Sequence, residues 1–172
     1  MVRNGVTSAS AILPRVRRLA AVFLLLTVLA GCNSDSPPSA NFLPGGQEKF
    51  QKLLKRERGK PIVVNKWASW CSPCRFEFPF FRDQANKRKG EVVFIGVNST
   101  DNRRDAEQFL EEEPVPYKHF EDPKLEIAAV FNAVQAFPST AFYDSKGELA
   151  YVHQGGYPSE KALAEDIDHY AR

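Results

Sequence analysis

Val63-Val64-Asn65-Lys66-Trp67-Ala68-Ser69-Trp70-Cys71-Ser72-Pro73-Cys74-Arg75-Phe76-Glu77-Phe78-Pro79 is the stretch on which the reading of this chain turns. Its first part belongs to a β-branched run, Pro61 to Trp67, that follows a break at Gly59 and reads as a buried strand. Its last part opens a helical segment, Arg75–Lys89, in which Pro79 is expected to produce a kink or a break. A Cys-x-x-Cys pair thus sits where a strand passes into a helix. Two intervening residues in a first helical turn bring the sulfurs within bonding distance. The partial positive charge and free N–H groups of a helix start favour a thiolate at Cys71. Cys74, one turn deeper, is placed to resolve a mixed disulfide, and Pro73 restricts the turn between them.

Three blander readings compete with a redox pair. A disulfide across two residues closes too short a loop to stabilise much. A metal site would have to draw on His119, His153, His169 and the acids, because no second cysteine pair exists. Inert core cysteines would make the spacing a coincidence, and Cys-x-x-Cys after a strand is a strong redox signal. Further along, Ala136-Phe137-Pro138-Ser139-Thr140 runs a proline into a strand. Spacing alone favours an ordinary trans loop proline there. A cis bond would instead bring backbone close to the sulfurs and expose N–H and C=O groups to an extended substrate.

Outward from the motif, Gln47–Arg58 reads as a surface helix and Glu91–Val97 as a second buried strand, apolar throughout as parallel strands are. Asn102–Glu113 is helical, Tyr117–Phe120 a short extended piece, and Pro123 suits the first position of a helix over Lys124–Phe131. Thr140–Tyr143, a turn at 144–147 and Glu148–His153 form a hairpin, and Ser159–Tyr170 is a closing amphipathic helix. Strand–helix–strand alternation with a terminal hairpin implies an α/β fold, a mixed central sheet flanked by helices on both faces.

The chain has 172 residues, 43% hydrophobic and 26% charged, the balance of a globular protein. Its net charge of +2 gives no sign of nucleic-acid binding. Arg3, Arg15, Arg17 and Arg18 lie in an N-terminal stretch without acids; the rest carries 19 basic against 21 acidic residues. The uncharged run Leu19–Ala30 is short for a membrane span and suits a signal-peptide core. Leu29-Ala30-Gly31-Cys32 follows it and resembles a bacterial lipoprotein box, in which the cysteine is lipidated and becomes the new N-terminus. The expected organisation is a signal peptide at 1–31, a lipidated Cys32 with a Pro/Ser/Gly-rich tether to 46, and a domain at 47–172. The domain then lies outside the cytoplasm, anchored to a bacterial membrane. The remaining two of the three cysteines are Cys71 and Cys74.

Trp-Cys-x-x-Cys after a strand, with the later Pro138, resembles the thioredoxin family. Asn65 to Pro79, Gly96-Val97-Asn98 and Phe137-Pro138-Ser139-Thr140 are similar to its exported TlpA/ResA-like branch. The resemblance implies a thioredoxin fold. It makes Cys71 the attacking cysteine, Cys74 the resolving one and Pro138 a cis-proline facing them. Glu77 matches a glutamate that assists proton handling, and Trp70 would pack beside the disulfide. Ser72, Pro73 and Phe137 join Trp70 as candidate substrate contacts, whereas Trp67 is read as core packing. Three positions depart from the family pattern or narrow it. Asn65 replaces the buried aspartate of thioredoxin itself, as is common in the exported branch. Lys66 stands where an aromatic is usual, and must snorkel, pair with an acid or lose its proton, unless it stabilises a nearby thiolate. Phe137 is bulkier than the usual residue before the proline.

The implied activity is two-electron exchange with protein dithiols and disulfides, with no cofactor and no metal. The branch favours a reductant of the cytochrome c maturation type, with apocytochrome c a candidate partner and a membrane electron donor recharging it. An oxidase forming disulfides in exported proteins is the alternative. A copper-delivery protein on the same scaffold is a further one, with His153 as candidate ligand, although such proteins carry three residues between the cysteines.

Overall fold

A computed structural model describes residues 41–172. The leader, Cys32 and most of the tether lie outside the described residues. Ten elements follow in order: α1 (Gln47–Arg56), β1 (Ile62–Trp67), α2 (Ser72–Lys87), β2 (Val93–Ser99), α3 (Arg103–Glu112), β3 (Lys118–Asp122), α4 (Glu126–Val130), β4 (Ser139–Tyr143), β5 (Leu149–Gln154) and α5 (Glu160–Tyr170). The strands form one sheet in the order β3-β2-β1-β4-β5. β1 pairs in parallel with β2, and β2 with β3, while β4 runs antiparallel to both β1 and β5.

The alternation of side chains along β1 assigns each residue to a face. Ile62 and Val64 meet Phe50 and Leu54 of α1 and Ile127 and Ala128 of α4. Val63 meets Phe81 and Ala85 of α2 and Leu163 and Ile167 of α5. Trp67, on the same face as Val63, is enclosed by Phe78 of α2 and Phe109 of α3, so it is core as the sequence suggests. Every residue of β1 is buried, because the strand is central and covered on both sides. This is the thioredoxin arrangement.

Four local expectations are corrected. α2 begins at Ser72, ahead of Arg75, and continues unbroken through Pro79. The lost N–H costs less than exposing Phe78 and Phe81, both buried in the sheet-facing side of the helix. The extended piece near Tyr117 is a full edge strand, β3. Pro123 does not open α4; it lies in the preceding turn, where Leu125 adopts a left-handed conformation (φ 61°). The Asp122 carboxylate instead accepts the N–H groups of Ile127 and Ala128, each at 2.9 Å, which satisfies the free donors of the helix start. Finally, the packed unit reaches ahead of Gln47: His119 N–H donates to Asn41 O, Leu43 N–H donates to His119 O, and Phe42 is buried against His119.

Candidate active site

The C-terminal end of β1 delivers the chain through Ala68-Ser69-Trp70 to Cys71, which caps α2 with an extended backbone (φ −86°, ψ 103°). Cys71 and Cys74 are disulfide-bonded, with Cα atoms 5.2 Å apart. The N–H of Cys74 donates to Cys71 Sγ at 3.2 Å. A sulfur that accepts a helix-start N–H is stabilised as an anion by that bond and by the helix dipole. Both residues are buried, Cys74 completely and Cys71 with 4% of its surface exposed.

The loop before Cys71 is held from the β2–α3 connection. Asp101 accepts from the Ser69 N–H at 2.5 Å, the Ser69 hydroxyl at 2.8 Å and the Asn98 amide at 2.7 Å. Trp70 donates its indole N–H to Thr100 O, leaving the ring 58% exposed. Behind the loop, Trp67 donates to His119 Nδ1 at 3.1 Å, which leaves the proton of the neutral imidazole on Nε2. Burial among Phe42, Trp67, Phe78 and Tyr117 pushes the His119 pKa down to about 3.

Glu77 follows Cys74 by one helical turn and is completely buried. One carboxylate oxygen accepts the Tyr157 N–H at 2.9 Å, and the other has no hydrogen-bond partner among the described residues. Burial pushes its pKa up to about 8, against the smaller opposing effect of the Tyr157 bond. The Phe137–Pro138 peptide bond is cis, and Pro138 O accepts the Gly155 N–H. A methyl group built on Gly156 would lie 3.4 Å from Pro73, 3.7 Å from Pro138 and 3.7 Å from the Glu77 carboxylate, so these three residues converge on one glycine. Phe137 stands 5.0 Å from Trp70, ring to ring, while Ser72 and Pro73 are exposed on the first turn of α2.

The structure therefore brings Trp70, Cys71, Pro73, Cys74, Glu77, Phe137 and Pro138 together at one end of the sheet, with Ser72 on its rim. His153 lies on β5, stacked on Tyr157 and 3.5 Å from Asp166. Asp101, Gly156 and Tyr157 escaped the sequence reading. Asp101, in the run Ser-Thr-Asp-Asn, looks like a turn former, and a Gly-Gly pair before a tyrosine looks like a loop.

A family model described as Redoxin matches residues 33–167. The chain belongs to the Redoxin family. Among Redoxin relatives, it is 39% identical over 101 residues to the thiol:disulfide interchange protein DsbE of Pseudomonas fluorescens biotype C, covering 57% of this chain and 53% of that protein. It is 31% identical over 126 residues to the thiol-disulfide oxidoreductase ResA of Oceanobacillus iheyensis, covering 70% of this chain and 64% of that one. The chain thus spans between about half and two thirds of the length of these two relatives. Among solved structures, DsbF of MTB, in mixed oxidized and reduced forms, superimposes with a TM-score of 0.61 at 29% identity, covering 67% of this chain and 84% of that one. The thioredoxin fold of this Redoxin domain is shared with that structure. Among the described residues, no helix is long and apolar enough to cross a membrane.

Proposed function

We propose that this domain is a thiol–disulfide oxidoreductase that exchanges two electrons with protein dithiols and disulfides through Cys71 and Cys74. The observation that carries the reading is the pair's position: Cys71 caps a helix and its sulfur accepts a helix-start N–H, while Cys74 is sealed beneath it. In the reducing direction, the Cys71 thiolate attacks a partner disulfide and one partner sulfur leaves as thiolate. Cys74 then gives up its proton and attacks Cys71 Sγ, which releases the second partner sulfur and closes the Cys71–Cys74 disulfide. Two electrons pass to the partner, and the two thiolates released take up protons. Glu77, one turn from Cys74 and with a pKa of about 8, suits receipt and return of the Cys74 proton near neutrality. Pro138 and Phe137, with Trp70, Ser72 and Pro73, offer the partner its backbone and ring contacts.

The finer reading is a reductant of the cytochrome c maturation type. It acts outside the cytoplasm from a lipid anchor on Cys32, takes electrons from a membrane donor and has apocytochrome c as a partner. The lipoprotein-like leader and the relatives named DsbE and ResA support it. The test is trapping: Cys74→Ser should accumulate mixed disulfides through Cys71, and mass spectrometry of the adducts names the partners. Equal trapping by a Cys71→Ser variant overturns the assignment of the attacking sulfur.

A further inference from the structure

Lys66 is the next-to-last residue of the buried strand β1, and none of its surface reaches solvent. A buried ammonium is costly unless its donors are satisfied. Its Nζ donates to Ala133 O at 2.7 Å and to Ala136 O at 2.9 Å, and reaches Val134 O at 3.4 Å. It also stands 3.5 Å above the centroid of the Phe137 ring, within the range of a cation–π contact. All of these partners belong to the loop that joins α4 to β4 and leads directly into Pro138. The other end of that contact chain is the site itself, since the Phe137 ring meets Trp70.

We propose that Lys66 is a positioning residue that clamps the 133–137 loop and so fixes the Phe137–Pro138 segment in the shape an extended partner chain docks on. The inference rests on the oxidoreductase reading, in which that segment meets the partner. Three carbonyls converging in a loop repel one another and have no helix or strand ladder to pair with. An ammonium supplies three donors from a single atom; the aromatic residue usual at this position supplies none. Burial pulls the Lys66 pKa down to about 8, and the charge of the Asp122 carboxylate opposes the shift, so the ammonium form is retained at neutral pH. Ser139 reinforces the clamp by donating its hydroxyl to Ala136 O at 3.0 Å. The hydrogen bonds of Lys66 all run to this loop.

Lys66→Met removes the donors at similar volume, and Lys66→Gln keeps two of them. Each oxidised full-length protein is assayed with dithiothreitol, which needs only the sulfurs, and with reduced, unfolded ribonuclease A, which needs the docking segment. In K66M the KM for the unfolded protein should rise by about tenfold, while kcat and the dithiothreitol rate stay within about twofold, with K66Q between K66M and the parent. If K66M does not fold, K66Q against the parent carries the same comparison. An unchanged KM, or an equal fall with both reductants, overturns the clamp. A parent protein that oxidises neither reductant removes the oxidoreductase reading and the clamp with it.

Discussion

Ionising Glu77 inside the folded protein is expensive, and the expense fixes how stability must vary with pH. Burial takes its pKa from 4.5 to about 8, so the folded state holds a proton that the unfolded state releases across that interval. In this window the folded state binds one more proton than the unfolded one. Unfolding free energy therefore falls with rising pH, by about 1.4 kcal/mol per unit. Over the roughly 3.5 units of the shift this amounts to about 5 kcal/mol, an upper bound because the groups around Glu77 relax. The contribution is fully present below about pH 4.5 and is lost as pH rises through about 8. Glu77→Gln keeps the shape and an acceptor for the Tyr157 N–H but cannot ionise. Urea denaturation of the oxidised parent and of E77Q, at half-unit steps from pH 4.5 to 9, isolates the term as the difference between the two curves. That difference should grow steadily in favour of E77Q by several kcal/mol. A difference flat with pH would refute the buried-carboxyl argument, and one of opposite slope would mean that a cation holds Glu77 ionised.

Two further outcomes follow from packing and hydrogen bonding. Gly96→Ala places a methyl group 1.8 Å from His119 Nδ1, and the ring has no room to retreat among Trp67, Phe78 and Tyr117. Overpacking and loss of the Trp67 bond should cost about 2–4 kcal/mol, read from the denaturation midpoint, and an unchanged midpoint would contradict this geometry. Asp101→Ala strips the acceptor from Ser69 and Asn98, and should cost about 1–3 kcal/mol and speed amide exchange at Ser69. Exchange as slow as in the parent would mean that the loop is held by other contacts.

Where a segment was legible in the sequence, one physical signal dominated it. β1 and β2 are short apolar runs between breakers, and the cysteine spacing at a strand–helix junction is a chemical statement in itself. β3 was half legible because it is an edge strand: Lys118 is exposed and Glu121 pairs outward with Arg103 at 2.6 Å, so polar residues interrupt the pattern a buried strand would show. The start of α4 depended on a carboxylate cap from Asp122, which resembles any acid ahead of a proline. Lys66 was visible as an anomaly, but its acceptors lie 67 to 70 residues away, and only the sheet pairing of β1 with β4 brings them to it. Asp101 reaches Ser69 across 32 residues of chain, and Gly156 meets Pro73 and Glu77 from the loop after β5. Chemistry carried by neighbours in sequence could be read there; chemistry assembled by topology could not.

The complete burial of Cys74 has a kinetic corollary. On the proposed chemistry, a partner caught on Cys71 is set free by an atom that no solute touches. The rate of this internal release is then set by how Cys74 is packed, and does not scale with the concentration of thiols outside.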